Sequence, residues 1–577
     1  MRVLKLLLVT YAALTQTASA VPLDTSEANT RDVLCKAIPG DSAWPSDLDW
    51  AQLNNSVGGV LLATRPIAYV CHDPSFDEDT CASLKEVWSF DTPHLQSPAD
   101  ILSPYFQNQS CDPFTSTQKP CTLGNYASYS INVTGVGDIQ AGIQFSRDKN
   151  IRLVLKNTGH DLLGKSTGKG ALSLWLHNLN KIEFSDECSH GSQYRGPCVK
   201  LGGGVIFDDV YTAASALGLR IVGGTCPTVG ISGGYTAGGG HGVFTSIYGM
   251  AADNVLEWEV VTADGSHLFA TPDINTDLYW ALSGGGPGTF AVVVSMTMRV
   301  YLDAPMSAAS LSFSNATVGG VEEFWRAVTA FHTSLLPLVS SGATSSFSIS
   351  QTSLTAFNIA IPKSNTTEVN CILRGINATM APVGVISGLV ATQHTGFLDM
   401  YNTYLKPVAE RIPAAQIVGG RLIPRSLIEG NRTSLEVTQA FRFAVEAGFN
   451  IICVAIDARK PPQYGNSVFP IWRSSLMTCL IQMSWDFDVP REVMLSRQTQ
   501  LTDTVMPRIE AATPGGGAYL NEASFQQADW EETFYGANYP RLSAIKTKYD
   551  PESLFYAETA VGSEAWSPDS DGRLCRL

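Results

Sequence analysis

"KNTGHDLLGKSTG" occupies residues 156–168, and "GGTCPTVGISGGYTAGGGHG" occupies residues 223–242. The fold turns on what these two loops can hold. The first follows "IRLVLKN" (151–157), whose alternation predicts a short buried strand. Its own residues are small or polar, so its backbone N–H groups stay accessible. The second has nine glycines in twenty positions and one thiol, Cys226. Glycine serves where backbone bends sharply or comes close to something else. Successive N–H groups in such loops make a nest for an anion.

Two common phosphate binders are excluded. A Rossmann fold needs G-x-G-x-x-G between a strand and a helix. "LGGGVIFDD" (201–209) follows a strand and opens a helix, but it lacks the third glycine. No acidic residue closes the next strand at the usual distance either. A P-loop needs a glycine run ending in Gly-Lys-[Ser/Thr]. "STGKG" (166–170) has neither that spacing nor a strand before it. Two facing loops of this kind, without a Rossmann helix, suit a long flat ligand with a phosphate waist. FAD is such a ligand.

Outward from the loops, texture divides the chain. Residues 1–20, "MRVLKLLLVTYAALTQTASA", have a basic start, an apolar run and a small-residue end, the pattern of a secretory signal peptide. Residues 21–120 are rich in Pro, Ser, Asp and Asn and read as a disulfide-tied extension. Residues 121–303 alternate helices ("DIQAGIQFSRDKN", "VIFDDVYTAASALG") with strands ("CVKLGGG", "LRIVGG", "GTFAVVVSMTMRVY"). "NVLEWEVVTADGSHLFA" reads as a hairpin turning at Asp264-Gly265. From 304 to 505 amphipathic helices such as "GGVEEFWRAVTAFHTSLL" alternate with strands such as "TSSFSISQTSL" and "NIICVAI", a second α+β unit. In 506–560, "YLNEASF" reads as a strand and "DWEETFYGANYPRLSAIKTKYDPESLF" as a helix between turns. Residues 561–577 form a tail.

Export is expected on other grounds too. Seven N-x-[ST] sites occur, at Asn54, Asn108, Asn132, Asn315, Asn365, Asn377 and Asn431. The chain has twelve cysteines. Cys71 and Cys81, Cys111 and Cys121, and Cys188 and Cys198 form three pairs ten positions apart, read as local disulfide loops. Cys35, Cys371, Cys453, Cys479 and Cys575 have no assigned partner. No CxxC or HxxxH spacing points to a metal. The net charge of −15 and the lack of a basic patch argue against nucleic-acid binding. No later apolar run is long enough to span a bilayer.

The 156–168 loop resembles the pyrophosphate loop of the FAD-binding domain shared by vanillyl-alcohol oxidase and p-cresol methylhydroxylase, the PCMH type. The 223–242 loop resembles the cysteine segment of berberine bridge enzyme-like oxidases, and "YLNEASF…DPESLF" their C-terminal segment. The resemblance implies an α+β fold: a two-subdomain FAD-binding domain, and a substrate domain of antiparallel sheet with helices. It also implies a berberine-like segment that returns to the FAD domain. It implies FAD held by two covalent bonds, from His160 to the flavin 8α carbon and from Cys226 to flavin carbon 6. Further cofactor contacts are implied at Lys156, Asn157, Thr158, Gly159, Asp161 and Gly164 in the first loop. The second loop offers Gly230, Gly234, Tyr235 and Gly239, and the tail offers Asn521. The chain departs from the family at Tyr235, where histidine is frequent, at His241, where tyrosine is frequent, and at Thr289, which replaces an asparagine.

The function so implied is that of an oxidase. A small organic substrate gives hydride to the flavin, and O2 reoxidises it to hydrogen peroxide. Tyr519 is the expected base, and Val229 the side chain beside the oxygen-reacting face. A secondary-metabolite intermediate is the first choice of substrate, an alcohol or carbohydrate the second. A secreted flavin-binding glycoprotein with little catalysis is the reading from another class. Trp472, Trp485 and Tyr464 are candidates for stacking on a substrate.

Overall fold

The structure is a computed structural model and describes residues 35–190, 194–385 and 389–577. The expected signal peptide lies outside them. Four short strands make the first sheet: β1 (Leu61–Ala63), β2 (Tyr129–Asn132), β3 (Leu153–Lys156) and β4 (Leu172–Trp175). Their order is β1-β2-β4-β3. β2, β4 and β3 run parallel, whereas β1 runs antiparallel to β2. The helix Val136–Asp148 carries the chain from β2 to β3 and buries Ile139 and Ile143 on the sheet side. The passage from β3 to β4 has no helix, only the 157–171 loop. That loop leaves the carboxyl end of a parallel strand, the usual place for a ligand in such sheets. β1 comes from the stretch read as an extension, so that stretch shares a sheet with the residues that follow it.

The second sheet is antiparallel and contains β5 (Ile182–His190), β6 (Tyr194–Gly202), β8 (Val255–Val261), β9 (His267–Ala270) and β10 (Val292–Arg299), in the order β5-β6-β10-β8-β9. β8 and β9 are the expected hairpin. A two-residue pair, β7 (Leu219–Arg220) with β11 (Tyr301–Leu302), stands apart. The expected strand "LRIVGG" shrinks to β7 because its end packs against the glycine loop: a Cβ on Gly242 would lie 1.9 Å from the Gly223 carbonyl oxygen.

Seven strands form the third sheet: β12 (Met306–Ser314), β13 (Thr344–Ile349), β14 (Ser353–Ile361), β15 (Thr392–His394), β16 (Gln416–Pro424), β17 (Asn450–Ala455) and β18 (Ser475–Ser484). The order is β15-β12-β14-β13-β17-β18-β16. Alternation gives its faces different jobs. On β17, Ile451, Cys453 and Ala455 join a core with the helices Val321–Ser340 and Asn431–Glu446. Ile452 and Val454 point the other way and line a cavity.

The C-terminal segment returns to pack on the second sheet, in the way the resemblance implies. Leu520, Phe534, Leu542 and Ile545 enter the same core as Val260, Met296 and Phe290. Lys546 Nζ donates to Thr289 O, Phe555 O and Asp550 Oδ2 at 2.7, 2.9 and 2.6 Å, which uses all three of its hydrogens. "YLNEASF" is not a strand. It follows three glycines and folds into turns, with Glu522 N–H donating to Tyr519 O at 2.8 Å. Just before it a single bridge joins Gly517 to Leu422, and its own Glu522 carbonyl packs on Gly420 of the third sheet.

The three ten-residue cysteine pairs are bridged: Cys71 to Cys81, Cys111 to Cys121, and Cys188 to Cys198. None of these six residues lines the cavity. Cys71, Cys81, Cys111 and Cys121 tie loops of the N-terminal stretch, while Cys188 and Cys198 link the neighbouring strands β5 and β6. They are therefore structural cross-links and not part of the ligand site. Two more bridges have no sequence precedent. Cys35 joins Cys575 across 540 positions, and Cys453 joins Cys479 between directly opposed positions of β17 and β18. Among the described residues, Cys226 and Cys371 are free. No helix of the described residues is long and apolar enough to cross a membrane.

Candidate active site

The two loops quoted first meet in the wall of one cavity of about 430 Å³. Asn157, Thr158, Gly159, His160 and Asp161 line it from the β3 side. Cys226, Val229, Gly230, Gly234 and Tyr235 line it from the glycine loop, and Tyr519 and Asn521 from the returning segment. The third sheet closes it with Phe357, Ile452, Val454 and Leu480, beside Ile412 and Pro413.

Three expected contacts take other places. Lys156, the last residue of β3, points into protein and donates to Ser97 O at 2.7 Å. Burial pushes its ammonium down to about 7, against the pull of Asp100. Gly164 (φ +71°) and Gly239 (φ +119°) do not line the cavity. A Cβ on Gly164 would strike the Phe106 ring at 2.5 Å, so this glycine serves loop packing. Gly230 does both jobs: it lines the cavity, and a Cβ there would meet Asn157 Nδ2 at 2.3 Å.

His160 and Cys226 are brought together from 66 positions apart, with Nε2 and Sγ separated by 3.9 Å. Between them stands Thr228, whose Oγ1 is 2.7 Å from His160 Nε2 and 3.4 Å from Cys226 Sγ. Asp91 completes the group. Its Oδ2 accepts the Thr228 hydroxyl and lies 3.5 Å from His160 Nε2. The same carboxylate oxygen lies 3.9 Å from Cys226 Sγ. Burial works against charge here, but mutual attraction wins. The Cys226 thiolate and the Asp91 carboxylate push the His160 imidazole up to about 9. His160 in turn lowers the Cys226 thiol, and the bonds that Asp91 accepts from His160 and Thr228 hold its carboxyl well below the usual carboxylate range against burial.

Tyr519, the expected base, is 2 % exposed. Its oxygen accepts Asn521 Nδ2–H at 2.8 Å and lies 3.4 Å from Tyr235 O. Burial, with Glu522 nearby, raises its pKa far above that of a free phenol. A general base works best with a pKa near the working pH, so Tyr519, which lines the cavity, would need its hydroxyl activated by a neighbour. The neighbouring Glu522 has the open position: its Oε2 is buried without a hydrogen-bond partner, and its Oε1 is 3.5 Å from His241 Nε2. His241 sits beside the Trp472 and Tyr519 rings, with 5.3 Å between centroids in each case. Trp472 thus packs in the wall behind His241 and is no open stacking platform. Trp485 is buried in the core on the helix side of the third sheet, and Tyr464 packs against Arg299, so neither lines the cavity.

Four contributors escaped the sequence reading: Asp91, Thr228, Lys165 and Glu522. Thr228 and Lys165 lay inside the quoted loops, and Glu522 follows the Y-x-N of the tail. Asp91 lies in "SFDTPH", one acid among many in that stretch.

Residues 127–271 match the family described as "FAD binding domain", and residues 518–562 match "Berberine and berberine like". The chain is 48% identical over 549 residues to the VAO-type flavoprotein oxidase VAO615 of Thermothelomyces thermophilus, covering 94% of this chain and 95% of that protein. The chain belongs to the VAO-type, berberine-like FAD-linked oxidoreductases. This family includes the bifunctional decalin synthase calF of Penicillium decumbens, 46% identical over 94% of this chain and 96% of that one. The crystal structure of the VAO-type flavoprotein MtVAO615 from Myceliophthora thermophila C1 superposes with a TM-score of 0.91 at 47% identity. It covers 94% of this chain and all of that one. As a VAO-type oxidoreductase the protein is an FAD-binding enzyme, and its cavity fits that cofactor. Lys165 Nζ is enclosed without a hydrogen-bond partner, as a counter-charge for an anion would be. Burial lowers its ammonium to about 8, with Asp161 opposing. Asn157 Oδ1 is likewise unpartnered. Gly233 and Gly234 offer a bare wall: a Cβ on Gly234 would meet nothing within 4 Å.

Proposed function

We propose that this protein is an exported oxidase that binds FAD through two covalent bonds and oxidises a small, largely apolar organic substrate of secondary metabolism. The convergence of His160 and Cys226 on one cavity wall carries the reading. A thiolate and an imidazole are the nucleophiles that electron-poor flavin carbons require, and here they come from separate loops to within 3.9 Å. Cys226 would hold carbon 6 and His160 the 8α carbon. Lys165 would meet the pyrophosphate, and Asn157 and Asn521 the polar edges.

When bound, the flavin supplies the two-electron acceptor that dioxygen regenerates with release of hydrogen peroxide. The protein binds, orients and moves protons. Glu522 is placed to take the hydroxyl or amine proton of the substrate. Glu522 lines the cavity and has one oxygen without a hydrogen-bond partner, and His241 stands behind its other oxygen. Val229, which lines the cavity, would leave room beside the ring. The apolar side chains of β14, β17 and β18 wall the substrate end, which favours an apolar skeleton over an oligosaccharide. Export is supported by the five bridges among the described residues and by sequons that are all at least partly exposed.

Acid precipitation tests the attachment: the pellet should stay yellow, and flavin free in the supernatant would refute it. Anaerobic bleaching against phenolic, polyketide, alkaloid and sugar panels tests the substrate class. Bleaching by sugars alone would select the carbohydrate reading.

A further inference from the structure

Among the described residues, Asp91 is the one acid that reaches the two attachment residues, and it comes from outside the 127–271 match. Its contacts fix where protons lie. A carboxylate only accepts hydrogen bonds, so the Thr228 hydroxyl must donate to Asp91 Oδ2. The Thr228 oxygen is then an acceptor, and its partner at 2.7 Å is His160 Nε2, which must carry a hydrogen. The ring's other nitrogen, Nδ1, has no hydrogen-bond partner among the described residues, and His160 lines the cavity.

We propose that Asp91 is the positioning residue for flavin attachment at His160: through Thr228 it keeps a proton on Nε2, leaves Nδ1 as the nucleophile, and accepts the Nε2 proton as the bond forms. The inference rests on the two-bond reading above. The chemistry balances. One N–C bond forms, from Nδ1 to the 8α carbon, and one C–H bond of that methyl group breaks. The imidazole gives up its Nε2 proton through Thr228 to Asp91. Two electrons pass to dioxygen, which leaves as hydrogen peroxide with one hydrogen from the methyl group and one from the imidazole.

The test uses the full chain carrying Cys226→Ala, so that only the His160 bond can form. The protein is purified under riboflavin limitation and supplied with FAD. Flavin retained after acid denaturation is followed over time, and the flavin-bearing peptide is identified by mass. Compared above the His160 value of about 9, where the ring is neutral with or without the carboxylate, Asp91→Asn should slow attachment on the order of 10²-fold, the size of a lost proton acceptor, and Asp91→Glu should recover most of the rate. Thr228→Val breaks the same path without removing the carboxylate and should slow attachment likewise. FAD retained before denaturation and an unchanged melting temperature show that the variants are folded. An unchanged rate in Asp91→Asn, or in Thr228→Val, overturns the role of Asp91 alone. If the Cys226→Ala parent never yields a His160 flavin peptide, the two-bond reading falls, and this inference with it.

Discussion

His160 keeps its proton up to about pH 9, because the Cys226 thiolate and the Asp91 carboxylate favour the charged ring more than burial disfavours it. The sign matters for attachment. The protonated ring has no free lone pair, so the reactive fraction grows as pH rises toward that value. Attachment to His160 should therefore accelerate between pH 7 and pH 9, measured as acid-stable flavin against time. A flat profile would mean that another step limits it. At the substrate end, Glu522→Gln should slow anaerobic flavin reduction roughly 10²- to 10⁴-fold with little change in flavin content, as expected for a lost general base. Val229→Ile should slow reoxidation by oxygen more than reduction, since one added methylene fills packed space. Stopped-flow measurement of both half-reactions decides each case. His160 and Cys226 were legible as a pair because glycine and small polar residues flank them in recognisable loops. Asp91 was not, since an acid in a Pro- and Ser-rich stretch carries no local signal. Its role exists only where the fold brings it to Thr228.

Elements were legible where period was strong. The 3.6-residue spacing of Ile139 and Ile143 gave the helix after β2, and the Asp-Gly turn gave the β8–β9 hairpin. "YLNEASF" misled because its apolar and polar residues alternate like a strand, while the glycines before it and the local Glu522–Tyr519 bond make turns. The short cysteine loops closed by Cys81, Cys121 and Cys198 were legible from spacing, whereas the Cys453–Cys479 bridge needed the register of β17 on β18. Besides its apolar contacts, the returning segment is tied to Thr289 through Lys546, which is buried with every hydrogen engaged. Lys546→Met should leave Asp550 as an uncompensated buried carboxylate and cost about 3–5 kcal/mol. Urea denaturation reads this as a lowered midpoint with the slope unchanged. Retention of the full midpoint would show that apolar packing alone holds the segment.

At the scale of the whole molecule, three sheets meet around one cavity, and residues from Phe90 to Tyr556 face it. Such a site is spread across the chain, so its composition could be anticipated but not its closure. The sequons at Asn108, Asn365 and Asn431 are exposed. Enzymatic deglycosylation of protein from a eukaryotic host should lower its mass, and an unchanged mass would argue against glycosylation there. The Cys35–Cys575 bridge spans almost every described residue. Breaking it by Cys35→Ser with Cys575→Ser should cost about 6 kcal/mol on the chain-entropy estimate for so long a loop, read as a fall in melting temperature.

That bridge turns the folded polypeptide into a closed ring. A ring has no privileged beginning. One cut in an exposed connection would give a linear chain with new ends and leave every domain tethered to its neighbours. The native termini could therefore be fused and the chain reopened elsewhere, with the cavity still built from the same three sheets. A protease that nicks the protein once would leave its mass on a non-reducing gel unaltered. Only reduction would expose the damage.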